Sequence, residues 1–166
     1  MNPKLAEIAR EEARKNYHGD TVAAIGNLHP IAELFEIADD VTEESLLGDW
    51  SGAFVFLCTE RADVGLPVRY PDPRVGTSFA YVDAWERYAK LPKIRLWLPP
   101  EESPEIGDIV LLEPTAKGVP QMGIILSLDG DQLEIAMGNY HNHSAIVERA
   151  RDDRVKGYIR LPEIDV

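Results

Sequence analysis

The stretch Asp49-Trp50-Ser51-Gly52-Ala53-Phe54-Val55-Phe56-Leu57-Cys58 limits the folds open to this chain more than any other. Beyond Trp50 it is apolar nearly all round. At 3.6 residues per turn Trp50, Phe54, Leu57 and Cys58 share one helical face, with Ala53 and Phe56 beside them. A helix without a polar side has to be buried on all sides, so the rest of the chain must build a core around it. Ser51 falls in its first turn, where free backbone N–H groups and the helix dipole make the surroundings locally positive. A cysteine there would have a depressed pKa and be a strong nucleophile; a serine depends on a base.

A chain of 166 residues is one domain, 1–166, long enough for a full core. Its 17 Lys and Arg against 29 Asp and Glu leave a net charge of −12. Nucleic acid and anionic membranes recruit clustered Lys and Arg, so neither is expected as a partner. The N-terminal Met1-Asn2-Pro3-Lys4-Leu5 has no apolar signal segment, and no run reaches the length of a membrane span. A cytoplasmic protein is the expectation. Cys58 is the only cysteine, which excludes an internal disulfide and a cysteine-based zinc site; no cofactor or metal is expected.

Along residues 1–49 the pattern is helical. Asn2-Pro3 reads as a cap and first turn, followed by a stripe of Leu5, Ile8, Ala9, Ala13 and Tyr17. A short helix follows Pro30, and Thr42-Glu43-Glu44-Ser45 caps a further turn. Residues 62–78 are rich in Pro and Gly and read as a surface loop anchored by Leu66, Val68 and Tyr70. A third helix is expected over 79–90, with Tyr81, Trp85 and Tyr88 on one face and Asp83 and Glu86 on the solvated one. After Pro104 short apolar runs with period two take over. Strands are expected at 109–112, 122–128, 132–137, 145–149 and 156–161, with a hairpin turn at Asp129-Gly130-Asp131. Helices first and a meander second make an α+β fold: a buried central helix on an antiparallel sheet of about five strands.

With these elements in order, a resemblance emerges. Trp50-Ser51-Gly52-Ala53-Phe54-Val55 resembles the W-C-x-A-F-V helix start of the NlpC/P60 and CHAP superfamily, papain-like amidases and endopeptidases that mostly cut peptidoglycan peptides. Gly107-Asp108-Ile109-Val110 is similar to that family's G-D-I/L-V strand, and Gln121-Met122-Gly123-Ile124-Ile125 to its H-x-G-I-V strand. Gly138-Asn139 resembles its E-G-N segment; Arg149 and Gly157-Tyr158-Ile159-Arg160 resemble its closing strands. The match spans roughly residues 50–161 and implies a papain-like core. It also implies that Ser51, Gln121 and Asn139 occupy the nucleophile, base and orienting positions of a triad.

Papain-type acyl transfer needs a thiolate and an imidazole that shuttles the proton. A neutral carboxamide has no usable pKa near 7, so Ser51 with Gln121 is not expected to perform it. One cysteine-to-serine change would account for Ser51 but leave Gln121 unexplained. The reading is therefore a degenerate family member that binds a peptide, a muropeptide or a protein through a groove near Trp50, Tyr81, Trp85 and His141. Two alternatives stay open. One is an amide or ester hydrolase that uses Ser51 with His141 or a neighbouring carboxylate as base. The other is an acidic inhibitor or immunity-type protein that uses the fold as a scaffold. His141 and His143 lie in a polar hairpin tip and lack the third ligand a metal site needs.

Overall fold

The computed structural model of the chain describes residues 1–19, 25–66, 73–114 and 118–163. Val68 and Tyr70, expected to anchor the 62–78 loop, lie outside them. Helix α1 (Pro3–Ala13) is capped by Asn2, whose side chain accepts from the Leu5 N–H at 3.2 Å. It ends a turn earlier than the apolar stripe suggests, because tertiary bonds claim its tail. Tyr17 N–H donates to the Ser144 hydroxyl, and Ser144 N–H donates back to the Tyr17 carbonyl, both at 2.8 Å. Helix α2 (His29–Ala32) runs into a single 3-10 turn, and α3 (Glu43–Gly48) starts in a reciprocal capping box between Thr42 and Ser45.

The central helix α4 (Ser51–Arg61) is buried from Ser51 through Thr59. Helix α5 (Val82–Lys90) begins three residues later than its apolar pattern, since the Trp85 indole N–H donates to the Phe79 carbonyl at 2.9 Å and holds 79–81 off the helix. Its outer face is only partly solvated. Asp83 is exposed and pairs with Arg87, but Glu86 is half-buried between Lys90 at 2.9 Å and Lys156 at 2.5 Å.

Among the described residues six antiparallel strands form one sheet: β1 (Trp97–Leu98), β2 (Ile109–Leu112), β3 (Gln121–Asp129), β4 (Gln132–Tyr140), β5 (His143–Ala150) and β6 (Val155–Ile159), in the spatial order β1-β6-β2-β3-β4-β5. The α+β class expected from the sequence holds, with one strand more: β1 is two residues long, too short to carry a period. The pleat sorts side chains into two layers. Ile109, Leu111, Met122, Ile124 and Ala136 join the helices in the larger core. Val110, Leu112, Ile125, Ile135, Met137 and Tyr158 form a second core on the far face. That far layer is enclosed by curling of the sheet itself. Arg151, just past β5, donates to the carbonyls of Pro100 at 3.0 Å and Glu102 at 2.6 Å, just past β1. The two ends of the strand order are thereby drawn together. Among the described residues no helix is long and apolar enough to cross a membrane.

Two glycines set how closely these layers meet. A Cβ on Gly138 of β4 would fall 2.8 Å from Phe54 Cγ and 2.9 Å from Trp50 Cε3, so only a glycine lets α4 lie this close to the sheet. Gly107 has φ +90, in the left-handed region, and a side chain there would collide with the Asn2 backbone. Its neighbour Asp108 is buried. The Asp108 carboxylate takes a two-pronged contact from Arg160 (Nε to Oδ1 2.9 Å, Nη2 to Oδ2 2.8 Å) and one from the Glu105 N–H at 2.8 Å.

Gly138→Ala is expected to lower stability by about 1–3 kcal/mol, as overpacking does, read as the urea midpoint. Gly48→Ala, which meets nothing within 4 Å in a helical turn, should leave the midpoint unchanged or raise it. Equal midpoints for the two would show that the helix does not approach so closely. Asp108→Asn should cost on the order of 2 kcal/mol, because it leaves the partly buried Arg160 without its charged partner.

Candidate functional site

Ser51 opens α4 and is completely buried. Its neighbour Trp50 stands at the N-cap position and offers no side-chain cap, so the duty falls to Asp49. Asp49 Oδ1 accepts from the Ser51 N–H at 3.3 Å and from the Ser51 hydroxyl at 3.1 Å. The carboxyl is half-buried, and that burial pushes its pKa above the ordinary aspartate range; the two bonds from Ser51 oppose the rise only in part. The hydroxyl expected to face a base therefore donates to a carboxylate two residues back. The contact is local to one turn of chain and caps the helix.

Gln121 does not stand opposite Ser51, which corrects the triad geometry that the resemblance implies. The reason is the pleat. The strand alternates without interruption from Gln121 to Ile125, and the bulge comes only between Ile125 and Ser127. Gln121 therefore shares the face of Ile125, which belongs to the far core, whereas Met122 and Ile124 face the central helix. The Gln121 carboxamide donates to the Asn139 carbonyl at 3.2 Å. Of the three triad positions the structure brings together Gln121 and Asn139, and leaves Ser51 beyond the sheet. Asn139 has φ +57 and contributes its backbone oxygen, the strand register shifting between Met137 and Tyr140.

The expected groove does not form either. Trp50 and Trp85 are buried in the helix-side core, and the Trp85 indole is already bonded to Phe79. Tyr81 is half-buried, and its hydroxyl donates to the Asp40 carbonyl beside the Ser45 hydroxyl at 3.0 Å, tying α3 to the start of α5. These are packing residues. His141 alone is exposed. It and Asn142 are both left-handed, at φ +50 and +65, and make the two-residue turn between β4 and β5. The hairpin tip expected from the sequence is thus present. His143 is drawn aside and stacks on His18 with ring centroids 6.0 Å apart. Among the described residues no group of three or more His, Cys, Asp or Glu is arranged to hold a metal ion. Cys58 is buried in the core, where burial raises its thiol pKa well above the usual value.

Gln121 and His141 meet instead in a cavity of about 470 Å³ at one mouth of the curled sheet. Met137 and Val147 line it from the far face, Tyr140 lines its rim, and Arg149 and Arg154 line it from β5 and the entry to β6. Another cleft, of about 310 Å³, lies beside α2 and α3, lined by Ile25, Phe35 and Leu46, and Ser51 does not line it either. The arginines of the mouth escaped the sequence reading, in which Arg149 figured only as part of a closing strand. A signal was present. In the alternation Ala145, Val147, Arg149 the arginine falls in the inward register, and its partner across the ladder is Leu133 of the far core.

No family model matches the chain, and no curated protein matches it. A solved structure described as "The crystal structure of Ly7917" aligns with 96% of this chain at 16% identity and a TM-score of 0.44. The chain spans 61% of the length of that structure.

Proposed function

We propose that this chain is a non-catalytic binding protein, a degenerate relative of the NlpC/P60 and CHAP proteins that has kept the buried helix and the meander and lost the chemistry. Its ligand is a peptide, a muropeptide or a protein. The observation that carries this reading is the state of Ser51: fully buried, with its hydroxyl committed to the Asp49 carboxylate. A nucleophile has to reach substrate and hand its proton to a base. With Gln121 on the other face of the sheet, no amide, and no imidazole put in its place, can serve Ser51. The kinship then rests on the helix start and the order of strands rather than on a triad.

One observation favours a second reading. A carboxylate of raised pKa, 3.1 Å from a hydroxyl at a helix start, is what a serine hydrolase with Asp49 as general base would present. That activity needs the cover over Ser51 to open. The two readings separate on labelling: a fluorophosphonate probe should leave the protein unmodified, and Ser51-dependent labelling would establish the hydrolase.

Two further outcomes follow from the site. Ser51→Cys and Ser51→Cys with Gln121→His should react with iodoacetamide equally slowly, since the thiol is buried and the new imidazole lies across the sheet. A faster double variant would restore the facing triad. For Asp49 the sign is set by burial. The folded carboxyl binds its proton more tightly than the unfolded one, so its ionisation costs stability as pH rises from the unfolded value near 3.8 through the folded one. Asp49→Asn keeps the acceptor and removes the charge. It should be at least as stable as the wild type at neutral pH, with the gap closing on acidification, measured by urea unfolding across pH. Ser51→Ala should lose about 1 kcal/mol at neutral pH.

A further inference from the structure

The arginines around the curled sheet fall into two kinds. Arg160 has its Nε bonded to Asp108 at 2.9 Å, and Arg151 has its Nε bonded to the Tyr158 hydroxyl at 2.9 Å. These are saturated clamps. Arg149 and Arg154 are not: the Nε of each is buried and, among the described residues, has no hydrogen-bond partner. Their remaining bonds are long. Arg149 Nη2 reaches Asp152 at 3.4 Å, and Arg154 Nη2 reaches the Glu113 carbonyl at 3.3 Å. Both line the cavity that Gln121 and His141 border. A buried, unsatisfied donor on a guanidinium is costly, and two guanidinium side chains lining one cavity are groups that a carboxylate can bind through paired N–H donors.

We propose that this mouth of the sheet binds the C-terminal carboxylate of a peptide, with Arg149 and Arg154 as the carboxylate-binding residues. The inference names the ligand chemistry of the binding reading above and moves the site to the far face. It does not depend on kinship or on Ser51. Three features select a peptide end over a bare anion. The cavity, about 470 Å³, far exceeds a carboxylate, and Met137 and Val147 give it an apolar wall for a last side chain. Beside it runs β5, an edge strand that pairs with β4 and, at its first residue, bridges His143 to His18, so its outer N–H and C=O groups past Ser144 can take up an extended main chain. Glu148 also borders the cavity, but it pairs across the ladder with Glu134, whose carboxylate turns to Arg10 of α1 on the helix side. The pleat thus directs Glu148 away from the guanidinium groups.

The test uses the wild-type chain with four probes: N-acetyl-alanyl-alanine, its C-terminal amide, N-acetylalanine and sodium acetate. Calorimetry gives the affinities, and Arg Nε–H resonances report the site. The expected result is saturable binding of the free dipeptide, with the Nε–H signals of Arg149 and Arg154 moving together. The amide should bind roughly tenfold more weakly or not at all, and so should the free dipeptide to Arg149→Lys or Arg154→Lys, which keep the charge and lose the fork. Ser51→Ala should bind as the wild type does. Equal binding of acid and amide, no saturable binding of the free dipeptide, or unmoved Nε–H signals would overturn the proposal. Acetate or N-acetylalanine binding as tightly as the dipeptide would overturn its peptide part. Since the resonances are read on the unaltered protein, a lysine variant that fails to fold leaves the test intact. Labelling of Ser51 would defeat the non-catalytic reading and leave this one standing.

Discussion

The contact between α4 and β4 through Gly138 is the constraint from which most of this structure follows. A helix with no polar side cannot end at a surface, so it needs a sheet on one side and helices on the others. Backbone-close packing at Gly138 brings Phe54 and Trp50 directly against the strand. Burial of those two side chains contributes on the order of 1.5–3 kcal/mol each. The same contact consumes the helix start. With Trp50 packed on β4 and Ser51 completely buried, nothing dissolved in water reaches the helix start, where the dipole could activate a nucleophile.

That sealing explains why Asp49 and Ser51 pair. A helix terminus buried without acceptors would carry orphaned N–H groups. Here the Asp49 carboxylate satisfies the Ser51 N–H and hydroxyl together. The arrangement costs something, since the carboxyl is itself partly desolvated and its pKa is raised. The two bonds from Ser51 favour the charged carboxylate, and burial of the carboxyl outweighs them. A surface N-cap keeps the same benefit of charge without that desolvation cost.

Much of the fold could be read from the chain because its elements are long enough to show their periods. The apolar run at Trp50, the cap at Asn2, the box at Thr42 and Ser45 and the turn at Gly130 each have a local cause, and each appears where that cause acts. What could not be read was tertiary. Tyr17 leaves its helix because Ser144, 127 residues away, bonds its backbone. The site was legible in its parts and illegible in its assembly. Gln121 and Asn139 do come together, yet which face they share is decided by the parity of β3 and by where its bulge falls. A one-residue difference in register exchanges the two faces, and a single sequence does not reveal which applies. Arg149 was missed for a related reason. An arginine in an inward register looks like a solvated residue until the sheet is seen to curl over it.

The sheet therefore acts as a partition. Its helix-side face is closed by packed side chains; charged groups there pair internally, Glu12 with Tyr17 at 2.7 Å and Glu134 with Arg10 at 2.6 Å, while the buried Trp50 indole N–H has no partner among the described residues. Its far face is clamped by Arg151, and close by in the chain it leaves two unsatisfied guanidinium donors, those of Arg149 and Arg154. Charge sharpens the contrast. In a chain of net charge −12, two arginines whose Nε atoms make no bond in the folded state are placed against the general trend. At physiological ionic strength the overall field is screened within about 8 Å, so the charges that count at the cavity are the two arginines with Asp152 and Glu148. The unmet guanidinium donors thus lie on the face opposite the helix start, where the unmet donor is the neutral Trp50 indole N–H, shut inside the core.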